Sequence, residues 1–123
     1  MSTPPQDSRF ALMQALSDVY ILFHTDIEKM PKLLRYTLGV KMLETSYRLI
    51  ELLTLALRKS GKSRLFILEK MDCELASLKI AVRILSKTKN ISDGRYAFLS
   101  ERLVGIGRQL GGFIKAEKEN QSR

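Results

Sequence analysis

Apolar residues recur at alternating intervals of three and four along four successive segments of this chain, and that spacing constrains the fold more than any other feature. A 3,4 repeat holds one stripe of side chains on a single side of an α-helix, and such stripes are buried by packing helix on helix at coiled-coil-like angles. The first segment carries Met13, Leu16, Tyr20, Phe23, Ile27 and Met30. The second carries Leu33, Tyr36, Val40, Leu43, Tyr47, Ile50 and Leu57, with Thr54 in the one polar slot. Leu68, Met71, Leu75, Leu78, Val82 and Leu85 make the third seam, and Tyr96, Leu99, Leu103, Ile106, Leu110 and Phe113 the fourth. Breakers fall between the segments. Pro31 is tolerated in a first helical turn, Ser60-Gly61-Lys62 ends the second helix at a glycine, and Ser63 can cap the third. Asn90-Ile91-Ser92-Asp93-Gly94 is a connector with Ser92 as the cap of the fourth. Helices are predicted near 8–29, 31–59, 63–88 and 92–118. Connections this short imply antiparallel neighbours, so the expected fold is all-α: an up-down-up-down four-helix bundle over residues 9–118, with flexible tails at 1–8 and 119–123.

The length of 123 residues, with 45% hydrophobic and 28% charged side chains, fits one soluble domain with a core of its own. Leu34, Leu38, Met42, Leu49, Leu53 and Ala56 lie beside the second seam, and Ile67, Ile80, Ala81 and Ile84 beside the third. That extra width is either core or a subunit interface. A lone Cys73 excludes an internal disulfide and is expected to be buried and structural, in keeping with a reducing cytoplasm. The polar start, Met1-Ser2-Thr3-Pro4-Pro5-Gln6-Asp7, lacks the blocks of a signal peptide, and charges interrupt every apolar run. A cytoplasmic protein without a membrane span is expected.

Gly105, Gly107, Gly111 and Gly112 sit inside the fourth periodic segment. Each glycine in a helix interior costs about 1 kcal/mol relative to alanine, so the cluster needs a structural reason, and close approach of another backbone is the expected one. Gly107 and Gly111 share one face and Gly105 and Gly112 another, so contacts within the bundle and across subunits are both anticipated. A phosphate-binding loop is not: Gly105-Ile106-Gly107-Arg108-Gln109-Leu110 has neither the third glycine, nor a preceding strand, nor a Lys-Ser/Thr ending.

Catalytic constellations are missing. Single copies of His24 and Cys73 are too few for most acid–base or metal designs, and Glu69, Asp72 and Glu101 do not recreate the Glu-x-x-His pattern of carboxylate-bridged metal bundles. The expectation is a protein that is not an enzyme and needs no metal or cofactor. Charge is more informative. The chain carries net +8, distributed as −2 over residues 1–30, +6 over 31–64, and +2 over each of 65–91 and 92–123. Lys79, Arg83 and Lys87 recur every four residues and form one cationic ridge. Arg58, Lys59, Lys62 and Arg64 cluster around the second connection, and Lys32 and Arg35 lie at the other end of the second helix. These residues are either a polyanion site or a solvated cationic face. Tyr20, Tyr36, Tyr47, Tyr96, Phe23 and Phe113 all occupy seam positions and are expected in the core. No aromatic interleaves with the basic clusters, so binding would be driven by phosphates rather than by base stacking.

Two blocks carry a resemblance: Ile27-Glu28-Lys29-Met30-Pro31-Lys32-Leu33-Leu34-Arg35-Tyr36-Thr37-Leu38-Gly39 and Ile106-Gly107-Arg108-Gln109-Leu110-Gly111-Gly112-Phe113-Ile114-Lys115. Over residues 10–116 the chain resembles the four-helix bundle family of the accessory variability determinant proteins of diversity-generating retroelements, which also contains the proteins encoded in bacterial 23S rRNA intervening sequences. The Pro-Lys-x-x-Arg-Tyr-x-Leu-Gly form leans towards the retroelement branch. The resemblance implies a homopentameric barrel of bundles with a basic surface, partnering a reverse transcriptase and its template RNA or cDNA without catalysing. The segment Leu75–Leu85 matches a family stretch with basic residues at Lys79 and Arg83; relatives can carry arginine at position 79, where lysine offers a point charge instead of a fork. Two other readings stay open: a protein of the intervening-sequence type, and a structural oligomer whose charge serves solubility.

Overall fold

The computed structural model describes residues 6–122. Helix α1 spans Gln6–Glu28. A second rod is built from α2 (Lys32–Leu34), a π-helical turn (Arg35–Gly39) and α3 (Val40–Ala56) in unbroken succession. Helix α4 spans Gly61–Lys87 and α5 spans Asp93–Gln121. No strand occurs among the described residues. Helices α1 and α4 each pack between α3 and α5. Asp26, late in α1, bonds Arg95, early in α5, and Arg64, early in α4, reaches Glu117, late in α5. These clasps fix neighbouring rods as antiparallel, and the four-helix bundle expected from the spacing is the fold that forms.

Three of the four seams pack much as their periodicity predicts. Leu16, Phe23 and Ile27 are buried on α1 and Met30 just after it, the whole third seam on α4, and Leu99, Leu103, Ile106, Leu110 and Phe113 on α5. The second rod departs. Its buried residues are Gly39, Met42, Thr45, Ser46, Leu49, Leu53 and Ala56, whereas Leu33, Tyr36, Val40 and Tyr47, expected in the core, are exposed. This helix is apolar on two faces, so either could have turned inward. Burying the alternative face keeps the Tyr36 and Tyr47 hydroxyls in reach of water, where they need no internal partner. Leu34, Leu38 and Met42 follow one another at intervals of four across the π turn, Met42 in the core and Leu34 and Leu38 partly buried against it.

The ends of the helices are explained residue by residue. Gly61 has φ of 60° at the first position of α4, a backbone conformation that glycine adopts without strain. The helix therefore starts two residues before Ser63, which is not its cap. Ser92 is the cap of α5, its Oγ accepting from the Arg95 amide at 3.1 Å. At the end of α4, the Asn90 amide donates to the Leu85 carbonyl and the Lys89 amide to that of Ser86, with Lys89 at φ 61°. This is a Schellman closure with lysine where glycine is usual. Of the tails expected from sequence, residues 1–5 lie outside the described residues and 6–8 are already in α1. Residues 119–121 are the last turn of α5, whose Lys118 carbonyl accepts from the Ser122 amide and hydroxyl.

The close helix approach in this bundle is at Gly39. A Cβ there would lie 2.9 Å from Ile27 Cγ2 and 3.4 Å from Ile27 Cγ1, so glycine is what lets the π turn lie against α1. Just before it, Arg35 Nη2 donates to the carbonyls of Glu28 and Met30 at 3.2 Å each, closing the end of α1. The block Ile27–Gly39 is thus a staple between the first two rods. Gly39→Ala is expected to destabilise the fold by about 1–3 kcal/mol through overpacking, and adding Ile27→Ala should recover less than it costs on its own; urea unfolding followed by circular dichroism measures both.

Candidate nucleic-acid interface

Helix α4 is buried along its leucine seam, and the same rotation turns Lys79, Arg83 and Lys87 to solvent. No ion pair holds any of the three among the described residues, whereas Arg48 is engaged by Glu74 at 2.9 Å. Lys79 leans towards α5: a Cβ built at Gly107 would lie 3.5 Å from its Nζ. Lys79 therefore stands at the seam where α4 meets α5. Arg58, Lys59 and Lys62 are also exposed, but from Lys62 to Lys79 the rise of 1.5 Å per residue puts about 25 Å along the helix between the two clusters. Lys32 is exposed at the end of the bundle nearer Lys87. Within one chain these cations make a ridge and separate outlying patches, not one continuous site.

Two expected contact residues are spent on structure. Arg64 is only 6% exposed. Its Nε donates to the Ala56 carbonyl at 2.9 Å, its Nη1 lies 3.4 Å from Glu117 Oε1, and its guanidinium sits 5.7 Å from the Phe113 ring centroid. It caps α3 and pins the end of α5, so it is no nucleic-acid contact. Arg35 is half-buried and closes α1 as described. A guanidinium has enough donors to satisfy several orphan carbonyls at a helix end, which sequence position alone does not reveal.

The glycine cluster is corrected as well. A Cβ at Gly105, Gly111 or Gly112 would meet nothing within 4 Å, and one at Gly107 would make only ordinary contact with Leu75 and Lys79. The close packing within the bundle expected of these residues is absent, because α5 turns Leu103, Ile106, Leu110 and Phe113 inward, which leaves Gly107 in ordinary contact at the α4 flank and Gly105, Gly111 and Gly112 facing no neighbour. Cys73, expected to be buried, is exposed on α4.

The structure also brings together what the sequence reading kept apart. On α5, Arg95 and Arg102 lie one turn before and one turn after Phe98, with guanidinium carbons 5.0 Å and 4.7 Å from the ring centroid. An aromatic does interleave with basic residues here. The spacing Arg-x-x-Phe-x-x-x-Arg marks the site in the sequence, but two arginines seven apart form no local cluster of charge.

A second exposed feature is an apolar groove of about 850 Å³ between the π turn with α3 and the facing side of α4. Tyr36, Val40, Ile80 and Ile84 form its exposed apolar rim. The excess apolar width of the second and third segments ends here, only partly absorbed by the core.

The family model described as bAvd-like matches residues 5–117, which take in all four rods. The chain belongs to the bAvd-like family. No curated protein and no solved structure matches it. Both blocks that carried the resemblance lie inside the matched span. In this bAvd-like chain the first block is the α1 staple, and the second contains Phe113, which receives Arg64. None of the helices among the described residues is long and apolar enough to cross a membrane.

Glu117 is 1% exposed and its Oε2 has no partner among the described residues, so the ion pair with Arg64 is held at a desolvation cost. Removing either charge strands the other: Arg64→Ala or Glu117→Ala is expected to lower stability by about 3–5 kcal/mol. The pair Arg64→Met with Glu117→Met should regain most of that loss. Urea unfolding of the three variants at one protein concentration measures the cycle.

Proposed function

We propose that this protein is a non-enzymatic accessory subunit of a diversity-generating retroelement, acting in the cytoplasm to hold the reverse transcriptase and template RNA or cDNA together during mutagenic copying. Membership of the bAvd-like family supports the retroelement setting. The observation that carries the nucleic-acid part is the ridge of Lys79, Arg83 and Lys87, exposed and without ion pairs among the described residues. Cations every four residues along a rigid helix follow a phosphate backbone without reading bases, and their binding is driven by counterion release. The subunit positions; the polymerase supplies the chemistry.

The subunit works as a homo-oligomer, a pentamer by the family resemblance. The apolar groove supports assembly, since Tyr36 at 62% and Ile80 at 59% exposure are large apolar surfaces to leave in water. Gly105, Gly111 and Gly112 support it too, because they let a neighbouring backbone come close to α5 at a cost the subunit alone does not explain.

Pull-down of the cognate polymerase at low salt should recover a complex. Lys79→Ala with Arg83→Ala should lower the slope of log affinity for single-stranded RNA against log salt by about 1.4, two contacts at 0.7 each; an unchanged affinity and slope would sink the ridge as a site. In light scattering, five copies of a 14.1 kDa chain give about 70 kDa. Ile80→Glu, in a residue exposed in the subunit, should keep its helical circular dichroism and lose that mass.

A further inference from the structure

We propose that Phe98, with Arg102, is a stacking site for an unpaired base of a single-stranded nucleic acid. The inference rests on the nucleic-acid part of the function proposed above and adds a base contact to a surface otherwise limited to phosphates. Phe98 is 37% exposed, and the two arginines on its ring differ in freedom. Arg95 is fixed: its Nε donates to Asp26 Oδ1 at 2.8 Å and its Nη2 to Oδ2 at 3.0 Å, with Asp26 itself buried. Arg102 is exposed and, among the described residues, has no hydrogen bond or ion pair to hold it. One side of the arrangement is pinned and the other is exchangeable.

An exposed guanidinium–ring contact is weak, whereas a base stacked on an aromatic ring is a stronger and sequence-tolerant contact. A base arriving at α5 displaces Arg102 from the ring, and the released guanidinium turns to an adjacent phosphate or stacks on the outer face of the base. Arg95, tied to Asp26, keeps the ring in place while this happens. The surroundings argue for a base rather than for phosphate alone. Asp18 lines the same α1–α5 groove as Arg102, accepting from Gln14 Nε2 at 3.3 Å, and Glu101 is exposed on α5 nearby. Asp26 offsets Arg95, and Asp18 and Glu101 lie near Arg102, so the ring is not set in a cationic cluster and what it adds to binding is the base contact. Phosphate attraction comes from the α4 ridge on the other flank of α5, and a strand lying across α5 reaches both.

The chain has no tryptophan, so Phe98→Trp introduces a single reporter at a position exposed enough to take the larger ring. Its fluorescence is titrated with an unstructured single-stranded RNA of mixed sequence and with an abasic strand of the same length, while anisotropy of end-labelled strands reports total binding. Quenching by the base-bearing RNA and not by the abasic strand is the expected result. Phe98→Leu, with unchanged circular dichroism, should weaken the base-bearing RNA roughly 5- to 100-fold and leave the abasic strand unaffected. Equal quenching by both strands, or binding seen by anisotropy without quenching by either, overturns the stacking site and leaves the phosphate ridge standing. Absence of binding by either strand overturns the nucleic-acid reading and this inference with it.

Discussion

The single apolar edge of α5 is the constraint on which the rest of the structure depends. Leu99, Leu103, Ile106, Leu110 and Phe113 are buried against α1 and α4, and no second apolar face competes for that role. The helix is clasped at both ends, by Asp26–Arg95 where it begins and Arg64–Glu117 where it finishes. Burial of the edge supplies the non-directional attraction, and the clasps fix rotation and register, because removing either partner leaves a desolvated charge. Once α5 is set in this way, Gly105, Gly111 and Gly112 face away from its neighbours, Lys79 leans over Gly107, and Phe98 sits at the α1 flank.

Charge in this protein divides into two populations that its net value of +8 conceals. Arg35, Arg64 and Arg95 bond carbonyls or carboxylates inside the fold, where a guanidinium serves better than an ammonium because it donates in several directions from one plane. Lys32, Arg58, Lys59, Lys62, Lys79, Arg83, Lys87 and Arg102 stay exposed. Only this second population can meet a polyanion. The ridge on α4 stands out within it because a straight helix carries its members in line, whereas the cations of the α3–α4 connection crowd one end of the bundle.

Glycine divides in the same manner. Gly39 is required inside the bundle, where Ile27 leaves no room for a Cβ, and it draws no notice in a sequence because it is solitary. The cluster at 105, 107, 111 and 112 is conspicuous and is not required inside the bundle at all. Density in sequence is a poor guide to close packing, because a helix spreads consecutive residues around its circumference and only the tertiary neighbour decides which of them is approached.

By itself the sequence determined the number of helices, their near limits, the seams of α1, α4 and α5 and the family, because each of these rests on local periodicity, local breakers or contiguous motifs. The ridge of Lys79, Arg83 and Lys87 was equally legible, since a spacing of four on a helix already known to bury Leu75, Leu78 and Val82 leaves those positions no other side to face. Only the tertiary structure decided which face of the second rod turned inward, because Leu33, Tyr36, Val40 and Tyr47 form as good a stripe as Met42, Leu49, Leu53 and Ala56 and the choice depends on which fits the neighbours. It also decided that Arg64 is buried while Lys62, two residues away, is exposed. A two-residue step turns a helix by roughly 200°, and what waits on each side, Glu117 and Phe113 or water, belongs to a part of the chain that no local pattern reaches.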